Sequence, residues 1–199
     1  MYKTKPIIWN REVLAYLVGI GLGDGNLSKP NGRSVRLRVS CDLKYPFLTT
    51  EIIGALYYVL PESKVGIVER TGRCLDISSH SNYWEMILGW KANEGSKYIQ
   101  NATVPEWIWC KDEYIKACLK GLIETDGSIY YDRGYPMVMF TNIVADLAKD
   151  VFQMMNWLGF QPRIYDLIPK SKFNVKRIYH VRLAKNVQEF LNLVQPLKA

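Results

Sequence analysis

Apolar positions along this chain follow helical and strand-like periods that alternate in a fixed order, and that order runs through twice. An apolar run at residues 13–22 predicts a helix, with Asn10 placed to cap its first free N–H groups and Asp24-Gly25 placed to close it. The pattern then predicts strands over 26–29 and 35–42, a helix over 46–59, strands over 65–70 and 74–79, and a helix from residue 83. A second helix ends at Asp126-Gly127. It is followed by strands over 128–131 and 137–142, a helix over 144–158, strands over 163–168 and 176–183, and a helix over 186–194.

Individual residues support the repeat. Ala15, Leu17, Gly19, Asp24 and Gly25 match Ala117, Leu119, Gly121, Asp126 and Gly127 at a constant offset of 102, as expected of a duplicated architecture. The same offset pairs Asn10 with Asp112, so both helices are expected to begin on a capping side chain. Both are expected to end on a glycine free to adopt the left-handed conformation. Gly89, Asn93, Gly95, Ser96, Asn101 and Pro105 interrupt any long helix between the halves. The join is therefore expected within residues 89–105, dividing the chain into 1–95 and 96–199.

Small residues fall four apart in each repeat: Ala15, Gly19 and Gly23 in one, Ala117, Gly121 and Thr125 in the other. Residues so spaced share a helix face, and two such faces can pack backbone against backbone. Around a pseudo-twofold axis, that packing brings Asp24 and Asp126 together at one surface. Two carboxylates near the negative ends of helix dipoles repel each other unless a cation intervenes. Oxygen-only donors suit Mg²⁺, which commonly bridges carboxylates to phosphate oxygens, activates water and stabilises a departing 3′ oxygen. One Asp-Gly would merely close a helix; packing does not explain an acid at the same place in both halves.

Residues 17–25, Leu-Val-Gly-Ile-Gly-Leu-Gly-Asp-Gly, and 119–127, Leu-Lys-Gly-Leu-Ile-Glu-Thr-Asp-Gly, resemble the two copies of the LAGLIDADG motif in single-chain homing endonucleases. The likeness covers nearly the whole chain, because the order of elements resembles that family's αββαββα half. It implies an α+β fold of two pseudo-symmetric halves packed through the motif helices, with curved antiparallel sheets forming a saddle over double-stranded DNA. It implies that Asp24 and Asp126 are metal-binding catalytic acids, with backbone carbonyls contributed by Gly23 and Thr125. The implied reaction is hydrolysis of both strands of a long, partly asymmetric target, leaving short 3′ overhangs. Mg²⁺ would serve, Mn²⁺ would substitute, and Ca²⁺ would support binding with little cleavage. Supporting polar groups are implied at Asp42, Asn142 and Lys97. The first motif departs from the family pattern at Gly21 and Gly23, and the second carries Glu124 at the earlier acidic position. Neither departure touches the final acids.

A surface that reads the duplex is expected on the strands. In residues 35–40, alternation puts Arg36, Arg38 and Ser40 on one face and Val35, Leu37 and Val39 on the other. Between Gln161 and Lys185, the basic residues Arg163, Lys170, Lys172, Lys176, Arg177, Arg182 and Lys185 face one acid, Asp166. Lys176, His180 and Arg182 are expected on one strand face. A two-stranded ribbon can enter the major groove, where Arg recognises guanine edges while flanking Lys residues contact phosphates. Arg33, Lys170 and Lys172 are expected in loops that meet phosphate, and Arg70 and Arg73 complete the predicted DNA-binding set. Any one of these residues is equally well explained as a solvated charge; their distribution is what points to DNA. Trp9, Trp84, Trp90, Trp107, Trp109 and Trp157 read as core or interface packing rather than base stacking.

Composition narrows the class further. With 48% hydrophobic and 23% charged residues in 199, the chain is an ordinary globular sequence, and its net charge of +7 favours a polyanionic partner. Its apolar runs fall short of the roughly 20 residues of a membrane span, and the N-terminus lacks a signal-peptide core. An intracellular protein of cytoplasm, nucleoid or organelle matrix is expected, with no membrane partner. Cys41, Cys74, Cys110 and Cys118 lack zinc-site spacing and read as small buried thiols. The competing readings are an RNA maturase with intron RNA as partner, a non-cleaving nucleic-acid binder, and an intein segment. Met1 and the lack of flanking splicing residues favour a free-standing protein, and the single-chain resemblance implies a monomer with internal pseudo-twofold symmetry.

Overall fold

The computed structural model describes residues 10–169 and 176–198; Trp9, Lys170 and Lys172 lie outside them. The first half runs α1 (Arg11–Asp24), β1 (Gly25–Ser28), β2 (Arg36–Asp42), α2 (Pro46–Val59), β3 (Val65–Arg70), β4 (Cys74–His80) and α3 (Trp84–Leu88). After a 3-10 turn at Glu106–Cys110, the second runs α4 (Asp112–Asp126), β5 (Gly127–Asp132), β6 (Tyr135–Asn142), α5 (Ala145–Trp157), β7 (Arg163–Leu167), β8 (Ile178–Leu183) and α6 (Val187–Val194). Each half is thus αββαββα. Its four strands form an antiparallel sheet in the order β1-β2-β4-β3 or β5-β6-β8-β7.

Helix α1 lies at the centre, with Leu17, Val18, Ile20 and Leu22 removed from solvent on every side. It packs along α4, and the small-residue rows make the contact. A Cβ added to Gly19 would fall onto the Cys118 carbonyl oxygen, and one added to Gly121 would lie 2.5 Å from the Tyr16 carbonyl oxygen. One face of each sheet closes on this helix pair through Leu37, Val39 and Ile77 in the first half and Val138, Phe140, Val181 and Leu183 in the second. The alternation of β2 accordingly turns Arg36, Arg38 and Ser40 to the opposite face.

Several local expectations differ from the structure. Asn10 caps α1 as predicted, accepting the N–H groups of Glu12 at 3.0 Å and Val13 at 3.3 Å. Asp112, however, is the first residue of α4, and the extended Lys111 occupies the cap position without a side-chain bond. The Asp112 carboxylate accepts the Trp157 indole N–H at 2.9 Å instead. The terminal glycines are extended rather than left-handed, with φ −75° at Gly25 and −88° at Gly127, because each helix runs directly into a strand. Space is what demands glycine there, since a Cβ on Gly25 would lie 2.5 Å from the Gly21 carbonyl oxygen. Trp84 and Trp90 are buried as expected, but Trp157 is 61% exposed. Cys41 and Cys118 are buried, whereas Cys110 lies on the surface. Among the described residues, no helix is long and apolar enough to cross a membrane.

Candidate metal and nucleic-acid site

Asp24 and Asp126 are the last residues of α1 and α4. The closest packing of the two helices sets their approach: a Cβ on Gly23 would collide with the Thr125 side chain. The Thr125 hydroxyl turns back onto its own helix, donating to the carbonyls of Gly121 at 2.9 Å and Leu122 at 3.1 Å. Burial pushes the Asp24 carboxyl above the usual carboxylate range, against the pull of Lys198 and Lys97. Burial and then the charge of Asp24 push Asp126 up to about 6, opposed by Asn142, Lys97 and Lys198. The mutual repulsion expected of paired acids is therefore present.

Two lysines answer this charge, one at each helix end. Lys97 donates from Nζ to the carbonyl of Leu22 at 2.7 Å and Gly21 at 3.2 Å, and also to that of Gly23. Burial lowers its pKa to about 8, although Asp126 and Asp24 pull it upward. Gln100 holds the surrounding loop closed, accepting the Lys91 N–H at 2.8 Å and donating to the carbonyls of Lys91 at 2.9 Å and Gly95 at 3.0 Å. Lys198 donates from Nζ to the Thr125 carbonyl at 3.0 Å, the corresponding end of α4. The resemblance had implied Lys97 at this place, and no expectation had fallen on Lys198. Its signal was the spacing of 101 residues between the two lysines, nearly that of the motifs.

Glu124 explains how Lys198 is held. This fully buried carboxylate accepts the Tyr16 hydroxyl and the Leu197 N–H, each at 2.8 Å, and lies 4.0 Å from the Lys120 ammonium. Burial raises its pKa despite those three partners. The earlier acidic position of the second motif thus ties the C-terminal segment to both motif helices.

The supporting residues are unequal in the two halves. Asn142 donates from Nδ2 to Asp126 Oδ2 at 2.6 Å, and its Oδ1 accepts the Val144 N–H at 2.8 Å, which fixes the amide orientation. Asp42 does not occupy the matching place. Gly25 pairs with Val39 whereas Gly127 pairs with Phe140, so the first hairpin is one residue longer and Cys41 corresponds to Asn142. The Cys41 thiol is pushed up to about 12 by burial and then by Asp24. Asp42 is exposed and closes a turn, accepting the Lys44 N–H at 2.9 Å.

The polar sheet faces carry most of the predicted DNA-binding residues. Arg36 donates to Ser28 Oγ at 3.3 Å, while Arg33 and Arg73 are exposed in loops. Arg38, Ser40 and Arg70 converge on Asp76, which is 7% exposed and had no sequence signal of its own. On the second sheet, His180 bonds Thr141 at 3.0 Å and stacks on Tyr165, and Arg182 pairs with Asp132 at 2.7 Å. Lys176 precedes β8 rather than belonging to it, and its ammonium lies 4.2 Å from the centre of the Tyr98 ring.

The donors at the helix ends are all oxygens: two carboxylates and the carbonyls of Gly23 and Thr125. Each of those carbonyls also accepts a lysine, which leaves a second lone pair. No group of three or more His, Cys, Asp and Glu side chains suited to a metal is found among the described residues. A cation at this place would therefore keep positions open for water and phosphate, as Mg²⁺ does.

Comparison with known proteins agrees with this geometry. Residues 113–195 match the model of the LAGLIDADG-like domain. A DNA polymerase of Thermococcus sp. (strain GE8) is 23% identical over 192 residues, which cover 87% of this chain and 10% of the polymerase. The chain thus spans about a tenth of that relative's length. The crystal structure of I-DmoI in complex with DNA and Mn superposes with a TM-score of 0.67 at 16% identity, covering 92% of this chain and 96% of that one. The N-terminal LAGLIDADG domain of DUF199/WhiA superposes at 0.62 and 14% identity, covering 96% and 86%. The second half thus carries a LAGLIDADG-like domain, the first half repeats its architecture, and the two halves together have the fold of I-DmoI.

Proposed function

We propose that this protein is a metal-dependent, site-specific DNA endonuclease that hydrolyses both strands of a long, partly asymmetric duplex and leaves short 3′ overhangs. The observation that carries the reading is the pairing of Asp24 with Asp126 at adjacent helix ends, each end served by its own lysine. Structural helix ends do not need two acids with raised proton affinity. I-DmoI has been solved with DNA and Mn or Ca, and a variant of it with DNA and Mg. Mg²⁺ is the proposed cofactor here, with Mn²⁺ as substitute and Ca²⁺ supporting binding.

When bound, a divalent cation would supply Lewis-acid chemistry for phosphodiester hydrolysis. The residues that would hold it are Asp24 and Asp126, with the backbone carbonyls of Gly23 and Thr125. Asn142 keeps Asp126 ionised and oriented through its short hydrogen bond. Lys97 and Lys198 set positive charge beside the phosphates undergoing attack. Each half, 1–95 and 96–199, contributes one acid and one DNA-facing sheet, both lysines come from 96–199, and the protein works as an intracellular monomer.

The test is cleavage of a duplex selected from a random library in Mg²⁺. Asp24→Asn and Asp126→Asn should abolish double-strand cleavage while Ca²⁺-supported binding persists; cleavage at the wild-type rate by the double variant would overturn the reading. The fold match to DUF199/WhiA favours keeping a second reading, a nucleic-acid binder or maturase that does not cleave. In that case no duplex is cut by the wild type, and any intron-splicing activity survives both Asn substitutions.

A further inference from the structure

The two sheets differ at one equivalent position, and the difference has a chemical meaning. Ser40 pairs with Asp76 in the first sheet, and the corresponding Thr141 pairs with His180 in the second. Each hydroxyl meets its partner: Ser40 Oγ donates to Asp76 Oδ1 at 2.6 Å, and Thr141 Oγ1 lies 3.0 Å from His180 Nδ1. The first half therefore places a carboxylate on a surface proposed to face polyanionic DNA, where a bare acid would repel phosphate.

Asp76 is far from bare. Arg70 donates from Nε to Asp76 Oδ2 at 2.8 Å, and Arg38 Nη1 approaches the same oxygen at 3.8 Å. The hydrogen bond from Ser40 and the arginines hold the carboxyl below the usual carboxylate range. The carboxylate is nearly buried, while the Arg70 side chain above it keeps 55% of its surface and Arg38 keeps 36%. Engaging Nε occupies the side edge of the Arg70 guanidinium and leaves the paired terminal nitrogens directed elsewhere. That free end is the fork that donates two parallel hydrogen bonds to O6 and N7 of guanine.

Resting on the endonuclease reading, we propose that Asp76 is a specificity-determining residue: it fixes Arg70, with Arg38 beside it, as a preorganised guanine reader for the half-site under the first sheet. Holding a flexible arginine in its bound geometry removes an ordering cost on binding. The second sheet has His180 stacked on Tyr165 at the matching position, and its Arg182 and Arg177 meet Asp132 and Asp166 through terminal nitrogens rather than Nε, which engages the fork itself; the guanine requirement therefore belongs to the half-site under the first sheet. Asp76 acts through the arginines and touches no base itself.

The experiment is selection of bound duplexes from a random library in Ca²⁺, with wild type, Asp76→Asn and Arg70→Lys. Wild type should select guanine at a defined position in one half-site. Both variants should lose that preference by roughly 5- to 150-fold, the discrimination of one bidentate contact, and leave the other half-site unchanged. Asp76→Asn should also bind unrelated DNA more tightly, because a negative charge has gone; a purely structural role would weaken all binding alike. Arg70 is on the surface, so Arg70→Lys keeps the test available if Asp76→Asn does not fold. Retention of the guanine preference by either folded variant overturns the proposal while leaving the endonuclease reading intact. A wild-type protein that retains no duplex overturns both.

Discussion

Adding one methyl group between the motif helices should cost more than any surface substitution, and the structure sets the size of the effect. In Gly121→Ala the new Cβ would lie 2.5 Å from the Tyr16 carbonyl oxygen and 2.7 Å from the Ile20 nitrogen, where ordinary contact begins at 3.4 Å. Both opposing atoms are backbone, so no side chain can swing aside. The helices must part by about 0.9 Å, the difference between 3.4 Å and 2.5 Å. Overpacking of this kind costs about 1–3 kcal/mol, or roughly 2–4 °C in Tm per kcal/mol for a chain of this size. Gly54 provides the matched control, being exposed in α2 with nothing within 4 Å of an added Cβ. There, the same substitution should stabilise by about 0.5–1 kcal/mol through helix propensity alone. Urea unfolding of both variants measures the contrast, and duplex cleavage shows whether separating the helices also separates the acids. Equal stability of Gly121→Ala and Gly54→Ala would refute the backbone-contact argument.

Other predictions concern the groups around the acids. Glu124→Gln should disturb the C-terminal segment, because an amide cannot accept from both Tyr16 and Leu197 as the carboxylate does. A loss of about 1–3 kcal/mol in unfolding free energy is expected, together with slower cleavage as Lys198 loses its anchor; unchanged values on both measurements would show that the tie is unimportant. Protonation of Asp126 competes with a cation, and its pKa is about 6. Ca²⁺ affinity should therefore weaken as pH falls through 6, and a flat isothermal titration profile from pH 7 to 5 would contradict this. Because that pKa is raised above the unfolded value, metal-free stability attributable to Asp126 is present below about pH 4 and is lost as pH rises through 6. Asp126→Asn should remove that part of the pH dependence in thermal melts. Lys198→Met should slow cleavage while sparing Ca²⁺-supported binding, and undiminished cleavage would remove Lys198 from the chemistry.

The two αββαββα halves, and the placement of Asp24 and Asp126 at the ends of the paired helices, were legible in the sequence because apolar periodicity and small-residue spacing report burial directly. Strand register was not legible: the resemblance set Asp42 beside Asn142 and the motif offset of 102 would set Ser40 there, but the first hairpin is longer by one residue, so the matching position is Cys41. Strand register depends on pairing between segments, and one residue of slip exchanges the faces of a strand. Asp112 failed as a cap for a similar reason: its carboxylate went to Trp157, a partner 45 residues away. Only the tertiary structure decided that Lys198 reaches the end of α4, that Glu124 ties down the segment carrying it, and that Asp76 gathers two arginines. Each of these rests on groups far apart in the chain, where local patterns of hydrophobicity carry no information about which polar atoms meet.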